Sequence, residues 1–173
     1  KWLPRKGAEN HGKLKAVLPV DVFGQPAEMD AVRRVAEKYQ LIVIEDSCEA
    51  LGAEYGGRQA GTLGQMGVFA FYPNKQMTTG EGGMIVTDRD DWDVLFRSLR
   101  NQGRDVFNSW LSHSRLGYNY RLDELSAALG LAQLDRIEEL LAKKNANTFG
   151  RLPMDRVGML ADLEKHDGPR LSI

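Results

Sequence analysis

The chain has 173 residues, 42% of them apolar and 27% charged, with a formal net charge of −1. That is an ordinary globular composition, and so small a charge supplies no field to attract nucleic acid or an anionic membrane. No apolar run approaches a membrane span, the N-terminus lacks a secretory pattern, and the single cysteine, Cys48, excludes an internal disulfide or a cysteine-rich metal site, so the cytoplasm is the expected compartment.

In chain order, residues 1–15 are basic and polar without periodicity, and read as an irregular segment. "AVLPVDVFG" (16–24) is a β-rich apolar run ending in glycine. The stretch after it, opened by Pro26, puts Met29, Val32, Val35, Ala36 and Tyr39 on one face of a helix, with charges opposite. "LIVIED" (41–46) is a continuous apolar strand that stops at two carboxylates. Strand, amphipathic helix and buried strand predict a right-handed βαβ unit in a mainly parallel sheet flanked by helices, an α/β fold. "GVFAFY" (67–72) and "GMIVT" (83–87) add two strands, and a helix is expected from Asp90 to Leu99. One long helix follows, with Leu122, Leu125, Leu129, Ala132 and Ile137 as its apolar stripe. After 146 the pattern dissolves, so residues 147–173 read as a separate C-terminal segment.

The loop "FYPNKQMTTGEGG" (71–83) holds Lys75. A Walker-type loop needs its glycines before the lysine and Ser or Thr directly after it; here Asn74 precedes and Gln76 follows, so that reading fails. Lys75 is either a solvated surface charge or, if its loop desolvates the amine, a nucleophile toward a carbonyl. Gly80, Gly82 and Gly83 would let the backbone pass close to a ligand. Asp46 ends its strand where α/β sheets bind ligands, although an aspartate there also serves as a helix cap. Pyridoxal phosphate needs both a lysine to bind its carbonyl and an acid to keep its pyridine nitrogen protonated, and these two residues form such a pair. His11, His113 and His166 are scattered without metal-ligand spacing, so no metal is expected. Cys48 reads as a small packing residue, and Asn119, Arg121 and Asp123 as the solvated start of a helix.

From Ala16 to Lys144 the motifs resemble the DegT/DnrJ/EryC1/StrS sugar aminotransferase family, of the aspartate-aminotransferase fold type. They are "PVDVFGQPAEMDAV", "VIEDSCEALGAEYGGRQAGTLGQMGVFAFYPNKQMTTGEGGMIVT" and "LGYNYRLDELSAALGLAQLDRIEEL". The resemblance implies that residues 16–146 form the pyridoxal phosphate-binding core of the large domain of a fold-type I transferase. It implies Lys75 as Schiff-base lysine and proton carrier, and Asp46 as partner of the pyridine nitrogen. Glu49 would stand near the cofactor ring, where relatives commonly have Gln or His. Asn119 would reach across a homodimer interface to the partner's cofactor phosphate, and Glu81 would lie near the substrate.

The implied reaction moves an amino group, from a donor such as L-glutamate, to a nucleotide-linked keto sugar in polysaccharide or secondary-metabolite synthesis. A dehydrating relative replaces the lysine by histidine, so Lys75 points to transfer. Two departures stand out: Ala70 occupies a position where the family often has a phosphate-binding serine, and neither the upstream phosphate segment nor the small domain is recognisable. The chain is therefore expected to be incomplete. A degenerate or truncated relative acting as a non-catalytic module, and another fold-type I enzyme such as a lyase or desulfurase, remain as alternative readings.

Overall fold

The computed structural model describes residues 13–105 and 112–149, with side chains described as far as Ala146. Its residues group into one unit ending at Asp135 and a second beginning at Arg136.

The first unit is built on a four-stranded sheet. Its strands are β1 (Ala16–Val17), β2 (Ile42–Asp46), β5 (Met66–Ala70) and β6 (Gly83–Val86), adjacent in that order. β1, β2 and β5 run parallel, and β6 closes the edge antiparallel to β5. The run expected as one strand over 16–24 is mostly not a strand. After β1 it touches β2 again only where Val20 bridges Asp46, then makes a 3-10 turn over Val22–Gly24. Pro19 accounts for the gap, since it has no N–H to give a ladder, although its carbonyl accepts the Asp46 N–H at 2.9 Å.

Helix α1 (Met29–Tyr39) returns the chain from β1 to β2. Its buried face is narrower than the sequence pattern suggests. Met29 and Ala36 are buried and Val32 partly so, while Val35 and Tyr39 stand exposed. Met29 and Ala36 pack with Val43 of β2 and with Leu63 to make the small core, each large side chain contributing about 1.5–3 kcal/mol by leaving water.

Between β2 and β5 the chain forms a hairpin that the sequence reading did not anticipate, β3 (Glu54–Tyr55) with β4 (Arg58–Gln59). Its two turn residues, Gly56 and Gly57, both have positive φ, the conformation a two-residue hairpin loop demands. The following loop is fastened by Glu45. This side chain is fully buried, and its carboxylate accepts the N–H groups of Gly61 (2.9 Å), Leu63 and Gly64. Those donors neutralise much of the cost of burying a charge.

Helix α2 (Asp90–Arg100) follows β6 within a residue of its expected bounds. Three aspartates in its first turn and two arginines in its last complement the helix dipole. The single long helix of the sequence reading is instead two, α3 (Glu124–Leu134) and α4 (Ile137–Phe149), interrupted at Asp135 and Arg136. Asp123 caps α3, accepting the N–H groups of Leu125 and Ser126, each at 3.0 Å. α3 is also turned the other way round from its pattern. Its inward residues are the small ones, Ser126, Ala127 and Gly130, with Gln133, while Leu125, Leu131 and Leu134 are 85%, 65% and 54% exposed. The reason is close approach: a Cβ at Gly130 would lie 3.0 Å from the methyl of Thr79. In the second unit, α4 carries an Arg136–Glu139–Lys143 surface cluster.

This inverted packing is testable. Leucine at Gly130 gains about 1 kcal/mol of helix propensity but overpacks the Thr79 contact at a cost of about 1–3 kcal/mol. Gly130→Leu should therefore lower the urea midpoint.

Candidate active site

Lys75 lies in the loop that joins β5 to β6. The base of this loop is closed by two backbone bonds, Phe71 N–H to the Gly82 carbonyl (2.8 Å) and Thr79 N–H to the Phe71 carbonyl (3.0 Å). Phe71, Met77 and Thr79 are buried and hold its underside down. From outside, Gln133 of α3 accepts the Thr78 N–H at 3.1 Å. Gly80 and Gly82 have φ of 83° and 147°, so these glycines are used to turn the loop. Two hydroxyls are engaged inside the loop as well: Thr78 donates to the Phe71 carbonyl and Thr79 to that of Glu81.

The lysine amine meets Glu49, with Nζ 3.3 Å from Oε1. The lysine side chain is 17% exposed and that of Glu49 39%, so the pair is partly screened and is worth less than a buried one. Glu49 is itself held from two directions. Its second oxygen accepts the Phe23 N–H at 2.9 Å, and its backbone carbonyl accepts a hydrogen bond from the Gln76 side chain. Phe23 reaches it from a left-handed backbone conformation, φ 55°, uncommon for a residue with a side chain. The Phe23 N–H, and after it the Lys75 ammonium, hold the Glu49 carboxyl below its ordinary value of 4.5.

Asp46 stands half-buried at the end of β2. Its Oδ1 accepts the N–H of Cys48 at 3.2 Å, so the carboxylate caps a tight turn and not a helix. Cys48, between the two acids, is half-buried and not a core residue. Burial first, and then Asp46, push its thiol up to about 11, with Glu49 acting in the same sense and Lys75 against it. All three charged residues thus act on one thiol.

Lys75, Glu49 and Asp46 converge here; the other two expected site residues stand apart. Glu81 is exposed on the far limb of the loop, with its carbonyl accepting the Thr79 hydroxyl at 2.6 Å. Asn119 is exposed in a bridge with Asn101 at the end of α2. His113 is a surface residue with Nδ1 2.8 Å from the Gln102 carbonyl, while His11 and His166 lie outside the described residues. Among the described residues no three of His, Cys, Asp and Glu cluster as metal ligands, and no helix is long and apolar enough to cross a membrane.

Solved structures of aminotransferases share this mainly parallel sheet. The profile of the DegT/DnrJ/EryC1/StrS aminotransferase family matches residues 8–150, and the chain belongs to that family. It is 46% identical over 132 residues to the GDP-perosamine synthase of Caulobacter vibrioides, covering 76% of this chain and 35% of that protein. A Campylobacter jejuni UDP-4-amino-4,6-dideoxy-N-acetyl-beta-L-altrosamine transaminase is 35% identical over 149 residues, 86% of this chain and 40% of its own. The X-ray structure of an aminotransferase from Psychrobacter cryohalolentis superposes with a TM-score of 0.71 at 34% identity, covering 77% of this chain and 36% of that one. The chain therefore spans 35% to 40% of the length of these curated relatives.

A depressed carboxyl stabilises the fold above its unfolded value and loses that contribution as pH falls through the folded one. The Glu49 contribution is thus complete above about pH 4.5 and fades below it. Urea midpoints measured from pH 6 to about 3 should fall less steeply in Glu49→Gln than in the unaltered protein at the acid end.

Proposed function

We propose that this chain carries the cofactor-anchoring part of a pyridoxal phosphate-dependent aminotransferase, which moves an amino group from an amino-acid donor, such as L-glutamate, to a nucleotide-linked keto sugar. The observation that carries the reading is the convergence of Lys75, Glu49 and Asp46 at neighbouring strand ends. Relatives named for GDP- and UDP-linked amino sugars support the substrate class.

The residues fit the reactive end of the group. When bound, the cofactor supplies an electron sink for the carbanion formed at the amino-acid carbon. Lys75 would be the amine that anchors it and would then carry the proton moved during the transfer. Asp46 would be the carboxylate that holds the proton on the ring nitrogen. Glu49 holds the lysine amine at 3.3 Å and would release it where Lys75 binds the cofactor. Ala70 offers no hydroxyl to the phosphate, and the Thr78 and Thr79 hydroxyls already donate within their loop. That end of the cofactor is assigned in this reading to residues outside the loop, Asn119 of a second copy among them.

The exposed Leu125, Leu131 and Leu134 of α3, with Tyr118 and Tyr120 beside Asn119, support a homodimer whose subunits share active sites. In this reading residues 16–146 are the cofactor-binding core, Glu81 contributes to the substrate side, and the reaction is cytoplasmic, with neither membrane nor nucleic acid as partner.

Pyridoxal phosphate added to the purified protein should produce a visible absorbance band that borohydride fixes to one lysine, and Lys75→Ala should abolish it. Absence of the band in the unaltered protein contradicts the assignment for this chain. Asp46→Asn should keep the band and lower amine transfer by about 10²–10⁴-fold. Light scattering should give twice the chain mass in active protein, and an active monomer contradicts the shared site.

A further inference from the structure

Two buried polar side chains beside the site have no part in the chemistry above. Asp21 is 1% exposed and Ser47 fully buried, and the Ser47 hydroxyl donates to Asp21 Oδ2 at 2.6 Å. The other carboxylate oxygen accepts the N–H of Ala27 at 2.9 Å. A carboxylate this deep is expensive to bury, and two donors, one of them close, offset that cost. A pair of apolar residues of similar size would serve packing alone as well or better. What the pair adds is a fixed direction.

That direction is set at the residues that matter. Ser47 is the residue between Asp46 and Cys48, and its N–H donates to the Val68 carbonyl of β5 at 3.0 Å. The Asp21 N–H donates to the Asp46 carbonyl at 2.9 Å, and the Asp46 N–H to Pro19 at 2.9 Å. Two residues after Asp21, Phe23 gives its N–H to Glu49. Segment 19–27 therefore grips segment 46–49 at successive points, of which the Asp21–Ser47 bond is the one made between two buried side chains.

We propose that Asp21, through its buried hydrogen bond to Ser47, is a positioning residue that sets where Asp46 and Glu49 stand relative to Lys75. The proposal rests on the function proposed above for what those acids do there. It does not rest on it for their placement. Cys48 reports that placement directly, because it is the single cysteine and its thiol answers to burial, Asp46, Glu49 and Lys75.

The test is the iodoacetamide alkylation rate of Cys48 against pH in the cofactor-free protein, for the unaltered chain, Ser47→Ala, Asp21→Asn and Ser47→Thr. If the pair positions the turn, the first two variants let the thiol relax toward its ordinary value of 9.0 from about 11. Each unit of that fall raises the thiolate fraction near pH 8 about tenfold and speeds alkylation by about 3–10-fold, since a less basic thiolate is a weaker nucleophile. Ser47→Thr, which keeps the hydroxyl, should stay within about twofold of the unaltered protein. The pyridoxal phosphate concentration that half-saturates the visible band should rise in the two fast variants and not in Ser47→Thr. Circular dichroism and melting curves confirm that rates are read on folded protein, and if Ser47→Ala does not fold, the isosteric Asp21→Asn decides. A lower melting temperature with unchanged Cys48 rates would show a merely structural pair and overturn the proposal. Because the alkylation needs no cofactor, absence of a band in the unaltered protein counts against the proposed function and leaves this test readable.

Discussion

The alternation of a β-strand sends neighbouring side chains to opposite faces, and at the end of β2 that constraint falls on two adjacent acids. Glu45 is drawn fully into the interior, where it ties down the loop that leads into β5. Asp46 is left half-buried on the other side, at the strand end, facing the turn that carries Cys48 and Glu49. One residue of slippage in the register between β2 and β5 would exchange their places, leaving a buried carboxylate without its three donors and a site without its acid. The rest of the unit guards that register. Val43, next in line on the inner face, is the residue on which α1 packs, and the Gln65 side chain accepts its N–H at 2.7 Å.

Around this fixed strand the site is assembled from loops that are each pinned by something outside themselves. The turn after β2 is held by the segment that follows β1, and the lysine loop is held from beneath by buried Phe71 and Met77 and from outside by α3. The Lys75–Glu49 pair is where the two loops meet. Exposed ion pairs contribute little to stability, so the pair sets an orientation more than it holds the fold together.

Much of this was legible from the residues alone, and the failures have physical causes. β2, β5, β6 and α2 followed from apolar runs and their polar boundaries, since those patterns are local. The Lys75 loop and Asp46 stood out because each sits at the end of such a run. The hairpin at Gly56–Gly57 had a signal, the paired glycines between polar residues, which the reading passed over. α3 was misjudged because a stripe of leucines implies an inward face only if nothing else competes for it. Here the loop bearing Thr79 comes too close for a leucine, and the small face wins. The work of Glu45 and of the Asp21–Ser47 pair could not be read locally, because the Gly61 N–H lies 16 residues from Glu45 and the Ser47 hydroxyl 26 from Asp21, and they meet only in the folded chain.

Sequence distance has a consequence for how the site comes into being. The lysine loop is closed by neighbouring strands, β5 and β6, that form an antiparallel pair. Glu49 and Lys75 are 26 residues apart, and β2 must pair with β5 in parallel across an intervening hairpin and loop before they can meet. The loop-closure entropy of the two pairings differs by less than about 0.6 kcal/mol, the cost of one doubling in length. The lysine loop and the turn that bears the acids are therefore closed at similar entropic cost, and the site needs both pairings at once.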